Sequence, residues 1–272
     1  SNTVIVSVKS LSLCCLHGNT CKEYTILTLL AMYRRIYGIN VVVFTNDTFT
    51  MRVAKEFGFI EERIIHHNEY GLPFLKYLFL DAMKVSHTRL YTYINADIFV
   101  HNKILQAAEA YYHYRKHGVL IVEMMRHSGC YVVGDETKYI IDARNVTTRM
   151  DNDELARSHE IVKLRHIRAG YVCEDSLIID VFIIPHSYPF DSFPDVVIGR
   201  WTVDKAFVMY TRTHNMSIID GTVFNSYHLG EDAAEKSIDK YVERDWIYNR
   251  IIVNNTLADI LGRMNTKEVF CQ

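Results

Sequence analysis

Between Thr3 and Ile65, short apolar, β-branched runs alternate with stretches of helical period, and this alternation restricts the chain more than any other feature. Residues 3–8 (Thr-Val-Ile-Val-Ser-Val) have strand composition. Thr20 can cap the helix that follows, with Glu23 closing a capping box. Ile26, Leu29, Leu30, Tyr33 and Tyr37 then recur at helical spacing up to Gly38. Val41–Phe44 reads as a second strand, Thr48–Phe57 as a second helix ending at Gly58, and Arg63-Ile64-Ile65 as a third strand. A β-α-β-α-β order implies parallel strands with right-handed crossovers. The expected class is α/β, with a mixed, mainly parallel sheet flanked by helices.

Further along, Phe74, Leu75, Leu78, Phe79, Ala82 and Met83 make one buried face of a helix over 73–86, with Lys76 and Asp81 off that stripe. Leu90–Val100 is a strand-like run interrupted by Asn95-Ala96-Asp97. A polar-aromatic helix over 101–117 and a strand at Val119–Glu123 follow, the tyrosines 111, 112 and 114 serving as half-buried packing. Residues 124–170 are less regular. Within them Leu155–Arg168 suits a helix whose basic residues (Lys163, Arg165, His166, Arg168) form either a solvated face or a phosphate or nucleic-acid contact. Leu177–Ile184 is an apolar strand broken by Asp180, Val203–Thr213 a helix, Ser217–Ile219 a last strand, and 231–248 an exposed acidic–basic helix. No repeat or linker divides the chain. It is expected to be one domain over 1–272, ending in a helical extension over 231–272.

Composition removes several function classes. The apolar fraction of 49% and charged fraction of 23% are globular values. A net charge of −2 gives no general affinity for nucleic acid or anionic lipid. No apolar run reaches membrane-spanning length and no signal peptide opens the chain. Ser1-Asn2 reads as an expression scar, which leaves room for an upstream anchor or domain. None of the six cysteines forms a CxxC pair, which argues against zinc. Asn-x-Ser/Thr sequons occur at Asn46, Asn145, Asn215 and Asn254. A glycan on Asn46 would obstruct a ligand loop, which tilts expectation toward the cytosol or nucleus over a secretory lumen.

The chemistry-bearing residues fall at strand ends. An acidic residue within an apolar run is costly to bury unless paired or metal-bound, so Asp97 is placed where its strand leaves the sheet. Open α/β sheets bind ligands at that carboxyl end. The same triplet also suits a turn or a helix cap. Thr45-Asn46-Asp47 sits equivalently after the second strand, and Asp47 or Thr48 can equally be an N-cap. Asp204, at a helix start, is placed to act as a general base or to cap its helix. Before it, Gly199 permits close backbone approach and Trp201 offers a stacking face. Lys76 either balances the charge of an anionic ligand or is a surface lysine, and Asp180 either hydrogen-bonds a ligand or is satisfied by backbone.

This order of motifs resembles the GT-A nucleotide-sugar glycosyltransferases: a strand–loop opening, Thr-Asn-Asp, Asn-Ala-Asp and a late His228. Asp180–Pro185, Ile198–Asp204, Ile219–Thr222 and Tyr227-His228 are further similar to a eukaryotic GT-A group related to the glucosyltransferases associated with base J synthesis. The resemblance implies a single GT-A (Rossmann-like) domain, with a nucleotide-binding half to about 125 and an acceptor-side half over 126–230, that moves a sugar, a hexose, from a UDP-sugar to an acceptor hydroxyl. It implies uracil and ribose contacts from Val8, Lys9, Thr45, Asn46 and Asp47. Asn95, Ala96 and Asp97 would border the diphosphate. Mn²⁺ or Mg²⁺ would be held by Asp97 and His228, since such cations take oxygen ligands with an occasional imidazole. Asp204 would be the base of an inverting transfer, with Asp180, Gly199, Arg200 and Trp201 around the sugars. Asn95 departs from the Asp that the family often carries there, and Val203-Asp204-Lys205 departs from its Trp-Asp-Asn. These departures keep open a degenerate nucleotide-sugar-binding or interaction domain. A sugar nucleotidyltransferase shares the sheet order, but it would carry a Gly-rich basic loop where Leu11–Asn19 has only Gly18.

Overall fold

The computed structural model describes residues 1–11, 22–100, 102–114, 118–123, 179–200, 202–220, 226–228 and 247–253. The elements in order are β1 (Asn2–Ser7), α1 (Lys22–Tyr37), β2 (Asn40–Phe44), α2 (Thr48–Glu56), β3 (Ile60–Glu62), α3 (Leu75–Val85), β4 (Leu90–Asn95) and β5 (Ile98–Val100). After them come α4 (Asn102–Tyr114), β6 (Gly118–Glu123), β7 (Ile179–Pro185), α5 (Val203–Thr213), β8 (Ser217–Asp220) and β9 (Ser226–His228). Residues 247–253 are helical. Thr20 and the helix expected over 155–168 lie outside the described residues, as does most of the helix expected over 231–248.

Seven strands form one sheet in the order β3-β2-β1-β4-β7-β6-β8. β1 pairs in parallel with β2 and β4, β2 with β3, and β6 with β8, while β7 runs antiparallel between β4 and β6. Strand side chains alternate between two cores. Val4, Val6, Val41, Val43, Leu90, Ile94, Val181 and Ile183 join one cluster with α1, α2 and α4 residues. Ile5, Val42, Phe44, Tyr91, Tyr93, Phe182 and Ile184 join the other, with α3, α5 and the aromatic stretch Tyr188–Phe193. Both faces are covered, so the central strands carry near-continuous apolar runs instead of an apolar–polar alternation. Each fully buried Val, Ile or Phe contributes roughly 1.5–3 kcal/mol.

Two strand expectations are corrected. The third strand is Ile60–Glu62, not Arg63–Ile65. Gly58 takes a left-handed φ of 72° directly after α2, and Phe59 N–H bonds Ala54 O at 2.9 Å, so the chain meets β2 earlier than its apolar pair. An edge strand needs no apolar run and tolerates charge, as Glu61 and Glu62 show, whereas Ile65 is 66% exposed. Ser217–Asp220 is not the last strand either. β9 follows and pairs with β5 in a separate two-stranded ribbon.

Candidate nucleotide-sugar site

Ser7 on β1 lies opposite Phe44 on β2 and Asn95 on β4. Three parallel strands therefore end level, and the segments after them leave the sheet side by side. Val8 N–H bonds Phe44 O at 2.9 Å and Thr45 N–H bonds Glu62 O at 3.0 Å, which ties these exits together. Val8 and Thr45 are buried, while Lys9 and Asn46 are exposed. Asn46 is a clamp on the next loop: Ile64 N–H donates to its Oδ1 at 3.1 Å and its Nδ2 donates to Ile64 O at 3.2 Å. Asp47 is the N-cap of α2. Its Oδ2 accepts from Thr50 N–H at 2.9 Å and from the Thr50 hydroxyl at 2.6 Å.

Asn95 ends β4 and Ala96-Asp97 form the turn into β5. Tyr93, two residues earlier and on the same face, donates its hydroxyl to Asn95 Oδ1 at 2.7 Å. β5 pairs antiparallel with β9, which sets Ile98 opposite His228. The backbone of His228 therefore lies across from the residue that follows Asp97. The Tyr33 hydroxyl, buried under α1, donates to Val100 O at 2.8 Å and holds β5 from below. Among the described residues no group of three His, Cys, Asp and Glu gathers into a metal cluster, and the His228 side chain lies outside the described atoms. By donor chemistry, a carboxylate with an imidazole suits a hard divalent cation that keeps several waters.

The other wall comes from α5. β8 runs parallel to β6 and hence to β4, so α5, which leads into it, starts at the carboxyl edge. Asp204 lies in the first turn of α5. Its Oδ1 accepts Lys205 N–H at 2.8 Å, and the backbone of Ile179 at the start of β7 is near enough to favour its charged form. Burial pushes its pKa up from the ordinary carboxylate value, and the Lys205 N–H, the Lys205 charge and the Ile179 backbone only partly offset this. Two left-handed residues shape the approach, Gly199 at φ 64° and Thr202 at φ 70°. Gly199 thus takes a conformation that glycine adopts without steric cost, and a Cβ there would meet nothing within 4 Å. Arg200 Nη1 donates to Gly199 O at 2.7 Å. Lys76 pairs with Asp195 at 3.6 Å and reaches Phe193 O at 3.4 Å, so its charge is engaged from the 190s loop. Trp201 and the Asp180 side chain lie outside the described residues and atoms.

The fold thus brings Val8, Lys9, Thr45–Asp47, Asn95–Asp97 and Asp204 to one edge, with His228 joined through the β5–β9 ribbon. Sequence reasoning missed Tyr93 and Asn249. Tyr93 was legible, since positions 91, 93 and 95 share a strand face. Asn249 was not, because nothing in the sequence links residue 249 to residue 197.

The class so defined is an α/β fold, a mixed and mainly parallel sheet flanked by helices. No protein-family model matches the sequence, and no curated protein matches it. Among solved structures, one titled only as a mycobacterial protein is similar over 98% of this chain and 76% of its own, at 11% identity and a TM-score of 0.50. Glucosyl-3-phosphoglycerate synthase from Mycobacterium tuberculosis, solved with Mg²⁺ and UDP, is similar over 98% and 81% at 10% identity and a TM-score of 0.47. S. aureus TarS 1–349, solved with UDP-GlcNAc, aligns with 48% of this chain at 16% identity and a TM-score of 0.35, and this chain spans only 36% of its length. No helix among the described residues is long and apolar enough to cross a membrane.

Proposed function

We propose that the protein is a metal-dependent glycosyltransferase that moves a sugar from a UDP-sugar to an acceptor hydroxyl. The observation that carries the proposal is the level ending of β1, β2 and β4, with Asp97 beside the β5–β9 pairing that brings in His228. Val8, Lys9 and Thr45 border the base and ribose, with Asn46 and Asp47 shaping that loop. Asn95, Ala96 and Asp97 line the diphosphate, and Asp97 and His228 would hold Mn²⁺ or Mg²⁺. Such an ion would act as a Lewis acid that neutralises charge on the departing diphosphate. Asp204 accepts the proton of the acceptor hydroxyl as that oxygen bonds the anomeric carbon and UDP leaves, so the configuration inverts. Its raised pKa keeps it basic enough for the task. Gly199, Arg200, Trp201 and Asp180 bound the sugar pocket, and Lys76 supports its rim. The donor sugar is a hexose, and the kinship with the base-J-associated group, resting on the sequence motifs, belongs to the same proposal. So does the single-domain organisation over 1–272.

Thermal shift with UDP, with and without Mn²⁺, tests this, because a ligand of the folded state stabilises by mass action. Stabilisation by UDP that requires Mn²⁺, and at least about a tenfold rise in the Mn²⁺ needed after Asp97→Asn, is expected. No shift with any UDP ligand overturns the proposal. A second reading, a nucleotide-sugar-binding domain without turnover, is favoured by one observation: the first acidic position is an amide whose Oδ1 takes the Tyr93 hydroxyl. Binding without UDP-sugar hydrolysis or transfer decides for it.

A further inference from the structure

The segment Val196–Ile198 leads to Gly199 and Asp204, and one of its edges is bonded to the start of α3. Leu75 N–H donates to Val196 O and Ile198 N–H donates to Pro73 O, both at 3.0 Å, with Phe74 and Val197 bridged antiparallel. In such a bridge the N–H and C=O of Val197 face the opposite edge, where a further strand would pair. A single side chain occupies that edge. Val197 N–H donates to Asn249 Oδ1 at 2.8 Å, and Asn249 Nδ2 donates to Val197 O at 2.9 Å. Asn249 lies on the helical residues 247–253, distant in sequence, and both it and Val197 are fully buried.

We infer that Asn249 is a positioning residue for the acceptor side of the site: its amide stands in for a missing strand, fixes Val197, and through the Gly199–Thr202 approach sets where Asp204 meets the sheet edge. A side-chain amide carries a donor and an acceptor on one carbon, in the plane a backbone pair requires, without a charge. Alanine leaves both Val197 groups buried and unbonded. Aspartate keeps an acceptor, loses the donor and buries a charge. Just past this segment, Gly199 and Thr202 are both left-handed, and Thr202 O accepts Ala206 N–H at 2.9 Å in the first turn of α5, so the start of the helix that carries Asp204 is tied to where this segment is fixed. The 247–253 helix, within the helical extension expected over 231–272, is on this account part of the site. The functional half of the inference rests on Asp204 serving as the base; the structural half does not.

The test compares Asn249→Ala and Asn249→Gln with wild type in the full chain. Amide hydrogen exchange is followed in peptides over 196–206 and, as internal controls, over 40–50 and 90–100. Alanine is expected to speed exchange about tenfold or more over 196–206 and to leave the control peptides and UDP affinity within about twofold. Glutamine, which keeps both hydrogen-bonding groups, is expected to recover part of the protection. If UDP-sugar turnover is present, kcat falls with Asn249→Ala while the UDP Kd holds, and the acid limb of the pH profile shifts toward the ordinary carboxylate range. Unchanged exchange over 196–206, or equal loss of protection in all three regions, overturns the inference. If wild type shows no turnover, the proposed function fails and the exchange result still decides the role of Asn249 in holding this segment. If turnover is present and kcat and UDP affinity fall together, Asn249 is structural only.

Discussion

Asp204 joins chemistry to stability. Its carboxyl is held above the ordinary range by burial, so folding favours the protonated form. The associated stability is full below the unfolded-state pKa of about 3.9 and is lost as pH rises through the higher folded value. Asp204→Asn is therefore expected to stabilise the protein near neutrality, with the gain vanishing in acid, as urea melts at several pH values would show. Turnover should move the opposite way, falling by about a hundredfold or more on loss of the base. Where the native rate is measurable, its acid limb should lie above the ordinary carboxylate range. Nearby Thr202 is a β-branched residue at φ 70°, a conformation that costs such a residue about 1–2 kcal/mol. Thr202→Gly is expected to raise Tm by relieving that cost of about 1 kcal/mol, while loosening the approach to Asp204 and lowering kcat.

Helix starts and strand ends carry the site, and their local bonds can be separated from ligand binding. Asp47 caps α2 through Thr50 N–H and hydroxyl, and Thr50 Oγ1 in turn accepts Leu11 N–H at 2.9 Å. Asp47→Ala is expected to cost about 1 kcal/mol. It should appear as a lower urea midpoint at unchanged m-value. The β5–β9 ribbon depends on its own supports, Tyr33 from α1 and the pairing of Ile98 with His228. Two short strands alone are marginal, so this ribbon is held by the core beneath it.

Across the molecule the two cores differ in character. The face under α3 and α5 is aromatic: Tyr188 stacks on Phe207 with centroids 5.3 Å apart and planes 2° apart, and Phe182 lies 4.5 Å from Phe207. Phe207 is fully buried at the middle of this cluster and on the helix that carries Asp204. Phe207→Ala is expected to cost roughly 3–5 kcal/mol. The loss should be cooperative, and calorimetry should show one transition at a lower Tm if the sheet and both faces melt together.

Local chemistry was enough to read the class of fold. The apolar runs of β1, β2, β4 and β7, the helical stripes of α1, α3 and α5, and the glycines after α1 and α2 are short-range signals. The placement of Asp97 at a strand end followed from the cost of burying a charge. Pairing partners were not readable in this way, because they depend on contacts between residues far apart in the chain. That limit explains the third strand, where edge position outweighed the apolar pair at Ile64-Ile65. It also explains β9, too short to announce itself until Ile98 pairs with His228. The same holds for Asn46, Lys76 and Asn249, whose polar side chains could face solvent, ligand or backbone, and whose partners Ile64, Asp195 and Val197 were brought near only by packing. The alternation of strand and helix was set by covalent neighbours; the level ending of β1, β2 and β4 and the pairing of Ile98 with His228 were set by the closure of the sheet, since they join distant segments that no local propensity brings together.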